Sequence, residues 1–181
     1  MATSVQEVLD FWFEELSPSD WFSGGKSVDK QIADRFSEVH TSATKGELYA
    51  WRKTPLGRLA EVIVLDQFSR NIGRNSALAF ASDAMALVLA QEAVAGEFDK
   101  ALTTKQKSFL YMPYMHSESL VIHEQAVELF SQEGLEHNLD FEYKHKVIIE
   151  RFGRYPHRNE ILGRSSSEEE ITFLQEPGSS F

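Results

Sequence analysis

The sequence predicts an all-α protein, and three observations carry that reading. Apolar residues recur at three- and four-residue spacing along most of the chain. No stretch alternates with period two long enough to demand a strand, and glycines and prolines sit where helices should stop or start. Connections between the periodic segments are short, which makes neighbouring helices antiparallel hairpins.

Each element has its own justification. Val5, Val8, Leu9, Trp12, Phe13 and Leu16 share one helix face, and Ser4 with Glu7 forms a capping box at its start. Ser17-Pro18 opens a short second helix carrying Trp21 and Phe22. Ile32, Phe36, Val39 and Ala43 define a third between Ser27 and Lys45, with Gly46 at its stop. Thr54-Pro55 starts a helix through Leu59, Val62, Ile63, Leu65 and Phe68 that ends near Gly73. An Ala-, Leu- and Met-rich helix runs from about Phe80 to Ala95, before Gly96. Thr103 with Gln106 caps a segment holding Phe109, Leu110 and Met112, which Pro113 interrupts. The next spans roughly Ser117 to Gln132 and closes at Gly134. Phe141, Val147, Ile148 and Phe152 mark another, ended by Gly153 and Pro156, and Ser167 with Glu170 caps the last. With 181 residues, 42% of them hydrophobic, and neither linker nor repeat consensus, a single domain over residues 1–181 is expected.

Composition excludes several functions. A net charge of −10 opposes binding to nucleic acid or to an anionic membrane surface. No continuous apolar run approaches the ~20 residues of a spanning helix, and the first residues lack the basic region of a secretory signal. Without cysteine there are no disulfides, thiolate catalysis or thiolate-held metals. The cytoplasm is the expected location.

Three polar clusters carry whatever chemistry the chain has. DQFSRN places Asp66 and Arg70 at i, i+4 on the end of an apolar helix, with Gln67 and Asn71 beside them. YMHSE brings His116 and Glu118, with Ser117 placed to cap the following helix. RFGRYPHRN concentrates Arg151, Arg154, His157, Arg158 and Asn159 at a helix junction, the last three in the expected first turn of a new helix. Free N–H groups there, beside guanidiniums, favour an anion. No metal site is expected: His116-x-Glu118 spacing does not share a helix face, and Glu142-x-x-His145 lacks the second pair that a di-metal bundle needs. Nor is there a phosphate loop, a Rossmann fingerprint or a nucleophile elbow, so no cofactor is expected. Trp12, Trp21 and Trp51 read as core.

VLDFWF, DQFSRN, YMPYMHSE, RFGRYPHRN followed by ILGR, and FLQEPGSSF together resemble the bacterial family called domain of unknown function 924, in family order from Val8 to Phe181. The family's usual DQFPRN carries proline where this chain has Ser69. The resemblance implies antiparallel hairpins stacked in a right-handed superhelix similar to tetratricopeptide repeats, and it implies no established activity. Its recurrent polar motifs fall on the three clusters.

If the clusters converge, Asp66, Glu118, His116 and His157 supply acid/base groups, while Arg70, Asn71, Arg151, Arg154, Arg158 and Asn159 suit a small anionic ligand. An alternative is a tetratricopeptide-like peptide-binding or assembly module whose arginines hold a peptide carboxylate, with homo-oligomers as one form. The chain's own Phe181 carboxylate is one such candidate for Arg154 or Arg158. A third reading makes the clusters a buried network that fixes helix register.

Overall fold

The computed structural model describes residues 3–23 and 25–180, and among them only helices and turns occur. The all-α expectation therefore holds. Two compact units are formed: Met1–Arg74 with Leu78–Pro113, and Asn75–Ala77 with Tyr114–Phe181.

The first unit begins with α1 (Val5–Asp10), whose Ser4 and Glu7 close a reciprocal capping box. A π-helical turn, Phe11–Glu15, extends it. Next come α2 (Pro18–Ser23) and the long α3 (Gly25–Thr44), which buries Val28, Ile32, Phe36, Val39 and Ala43. Thr54 caps α4 (Pro55–Ile63) by accepting from the Gly57 N–H at 3.1 Å. Gly57 is required, because a Cβ there would lie 2.0 Å from the Trp51 carbonyl oxygen. A second π-helical turn, Val64–Phe68, joins α4 to α5 (Ser69–Ile72). Every residue from Leu59 to Ser69 is buried, so this helix serves as the unit's centre. Phe68 sits among Phe11, Trp12 and Phe36, with ring centroids at 6.1, 5.7 and 5.0 Å.

Helix α6 (Asp83–Ala95) starts later than the sequence suggests, after a 3-10 turn at Ala77–Ala79. The combined run Ala77–Ala95 is long and apolar enough to cross a membrane by composition, with 28% of it buried. Ser82, Asp83, Gln91 and Glu92 divide it into shorter apolar runs. Helix α7 (Thr104–Met115) retains Pro113 in its interior, against the expected break. Phe109 through Met112 and both residues after Pro113 are buried, and that apolar burial outweighs the ~3 kcal/mol that an internal proline costs.

The second unit is built on a hairpin of α8 (Leu120–Phe130) and α9 (Glu136–Phe152). Gly153, at φ 66°, ends α9 in the left-handed conformation. Ile148, Ile149, Tyr155 and Phe173 form the core, with Phe152 against it. A 3-10 turn, Pro156–Arg158, and α10 (Glu168–Phe173), with its Ser167–Glu170 capping box, complete the unit. Ser179 is buried, its hydroxyl donating to the Leu174 carbonyl at 3.3 Å, whereas Phe181 lies outside the described residues.

Candidate functional site

The YMHSE and RYPHRN clusters interlock in the second unit. Three successive carbonyls, from the last residue of α7 onward, are each taken by a side chain. Met115 O accepts from the Tyr155 hydroxyl at 2.5 Å, His116 O from Arg158 Nη2 at 3.0 Å, and Ser117 O from His123 Nε2 at 2.9 Å. Glu118 then accepts the Tyr155 N–H at 2.7 Å and a two-pronged Arg164 guanidinium at 2.6 and 2.9 Å. Burial alone would raise the Glu118 carboxyl. The Arg164 and Tyr155 donors outweigh that effect and hold it below the ordinary carboxylate range.

This arrangement corrects two local expectations. Ser119, not Ser117, occupies the N-cap position of α8, and Glu118 serves Arg164 instead of the helix start. His157, Arg158 and Asn159 do not open an α-helix; they follow Pro156 through a three-residue 3-10 turn, so no α-helical N-terminus faces an anion there. Tyr155 fixes their place, because its buried ring needs a partner for its hydroxyl and finds it forty residues earlier.

Around Tyr155 the other rings gather. His123, His145 and His157 lie at centroid distances of 6.3, 5.7 and 5.5 Å, and the Arg158 guanidinium sits 4.6 Å from the ring centroid. Burial holds His145 neutral, down to about 3, with nearby histidines adding to the effect against its bond to the Phe141 carbonyl. His157 is pushed down to about 4, first by burial and then by the positive charges of Arg158 and Arg164. Its buried Nδ1 has no hydrogen-bond partner.

The other arginines of the cluster meet carboxylates. Arg154 grips Glu170 at 2.7 and 2.8 Å and also reaches the Ser165 carbonyl. That grip, with the Ser167 cap, lowers Glu170 to about 2. Arg151 pairs with Glu169 at the surface, and Asn159 bridges Arg164 and Ser166.

DQFSRN belongs to the first unit. Asp66 is buried in the π-helical turn, 3.0 Å from Arg70, which also forks onto Asp83. Asn71 and Arg74 both donate to Asp29. Ser69 is buried at the proline position of the family motif. Its hydroxyl donates to the Leu65 carbonyl and meets His40 Nε2 at 2.8 Å. With that proton committed to a carbonyl, the pair is no nucleophile–base dyad.

Sequence reasoning gave no site role to Tyr155, His123, Glu142, Arg164 or Glu170, although Glu170 was read as the cap of the last helix. Only Glu142-x-x-His145 gave a signal, as two polar residues on one buried face of α9. Among the described residues no group of three or more His, Asp or Glu side chains is arranged to hold a metal ion.

These features define an all-α protein whose second unit is closed by a buried network of histidine, tyrosine, carboxylate and arginine. The chain belongs to the family described as bacterial protein of unknown function (DUF924), whose model matches residues 8–178. It is similar to the solved protein of unknown function ATU0120 from Agrobacterium tumefaciens, at 34% identity and a TM-score of 0.90, covering 94% of this chain and 96% of that one. No curated protein matches.

Proposed function

We propose that the protein binds a small anion, phosphate or a short carboxylate, on the His157–Arg158 side of the second unit, with His157 as its acid/base group. The observation that carries this reading is the buried, unpartnered Nδ1 of His157 in the field of two guanidiniums. An imidazole N–H beside positive charge donates well to an anion, and the His157 ring is only partly buried. A bound anion also offsets the guanidinium field, so the ring gains a proton more readily and becomes competent to give one up.

The reading includes a single domain of tetratricopeptide-like hairpins in a right-handed superhelix, resident in the cytoplasm. The α8–α9 hairpin supports the hairpin part, and the first unit's assembly from two chain segments supports treating the chain as one domain.

Calorimetric titration with phosphate and short dicarboxylates tests it, read alongside the His157 ring resonances. Binding should be saturable, raise the His157 titration midpoint from about 4, and fall about tenfold in His157→Ala. The absence of both heat and ring shift with every anion would overturn the proposal.

A further inference from the structure

The second unit also buries a carboxylate–imidazole pair outside the anion site itself. His123 of α8 and Glu142 of α9 are fully buried, with Nδ1 and Oε1 2.6 Å apart. The opposite edge of His123 meets two acceptors, Ser117 O at 2.9 Å and the Tyr155 hydroxyl oxygen at 3.2 Å. That hydroxyl gives its own proton to Met115 O, so towards His123 it accepts. Nε2 therefore carries a hydrogen. With Nδ1 and Oε1 only 2.6 Å apart, the contact requires a proton shared between the two atoms. Glu142 Oε2 has no hydrogen-bond partner, a costly place for a full negative charge. Burial accordingly pushes the Glu142 carboxyl up, against the lowering effect of His123 and Lys146.

We propose that Glu142 and His123 are a positioning couple for the anion site: their shared proton keeps His123 an Nε2–H donor, and that donor holds the 115–118 turn and Tyr155 in the register against which His157 packs. The chain of contacts is continuous. His123 Nε2 holds Ser117 O and the Tyr155 hydroxyl, and the Tyr155 ring meets His157 on one side and Arg158 on another. Arg158 returns to the same turn through His116 O. The titratable and charged groups facing this assembly are Lys146 and His145 of α9, His116 and Glu118 of the turn, and His157, Arg158 and Arg164 after α9. The inference rests on the anion-site reading, since it assigns these two residues a task within that site.

Two variants test it. In Glu142→Gln the amide N–H still donates to Nδ1 and preserves the Nε2–H tautomer, whereas Glu142→Ala leaves Nδ1 without a partner. The alanine variant should lose about tenfold in phosphate affinity and move the His157 titration midpoint, with the glutamine variant within about threefold of wild type. An alanine variant that binds phosphate as wild type does, with His157 titrating unchanged, overturns the positioning role. If wild type takes no phosphate, the anion reading fails and the couple is judged on the His157 midpoint alone: movement in alanine but not glutamine supports it, and no movement overturns it. Should the alanine variant fail to fold, wild-type protein decides. A far-downfield, slowly exchanging proton coupled to His123 Nδ1 is expected, and its absence overturns the shared proton.

Discussion

The two units place different side chains at their centres and so depend on different forces. At the centre of the first, Phe11, Trp12, Phe36, Phe68 and Phe109 stack edge to face or tilted. The polar groups buried on its central helix, Glu61, Asp66, Gln67 and Ser69, each have a partner close by, and Lys105 covers Trp21 from 4.9 Å while donating to the Phe13 carbonyl. At the centre of the second, Tyr155 is surrounded by three histidines and an arginine, and Glu142 is buried beside them. Apolar contacts tolerate changes of pH and small shifts in geometry. A buried polar network works only while each proton is in its place.

The largest effect should come from emptying the aromatic centre. Phe68→Ala should cost about 3–5 kcal/mol in denaturant unfolding, from lost burial and the cavity left behind. A loss below about 1 kcal/mol would mean that the first unit does not depend on its ring stack. Acid should sharpen the contrast from the other side. His145 and His157 are neutral in the folded protein down to about 3 and 4, whereas in the unfolded chain they gain protons near 6.5. Their folded pKa values are depressed, so stability is fully present above pH ~6.5 and drains away as pH falls towards those values. For His145 alone the loss between pH 6.5 and 5 is about 2 kcal/mol. Glu142, with its raised carboxyl, works in the opposite direction. Urea midpoints at pH 7 and pH 5 should drop in wild type and drop less in His145→Gln. Equal drops would remove His145 from the account.

Smaller effects separate buried from surface polarity. Tyr155→Phe keeps the ring and deletes the hydroxyl, stranding Met115 O, and should cost about 1–3 kcal/mol. Arg151→Ala breaks an exposed pair with Glu169 and should change thermal stability by less than about 1 kcal/mol. If Arg151→Ala proves the costlier of the two, surface pairing outweighs the buried network.

What could be read in the sequence was local. Ser4, Thr54 and Ser167 cap their helices as their spacing implies, and Gly153 ends α9 where only a left-handed residue fits easily. Asp66 and Arg70 meet because i, i+4 residues on a helix are neighbours whatever else surrounds them. The site clusters were visible as clusters, yet their partners were not. Arg164 reaches Glu118 across forty-six residues, and Glu170 was legible as a cap without revealing its hold on Arg154.

By itself the sequence determined the helical class, the helix caps and the positions of polar density, because each depends on residues within one or two turns. Tertiary structure decided that Pro113 stays inside α7, that residues 156–158 form a 3-10 turn, and that His123 faces Glu142. Those outcomes depend on burial and on contacts between residues far apart in the chain. A desolvated group takes whichever partner the packing brings, and local spacing carries no record of that choice.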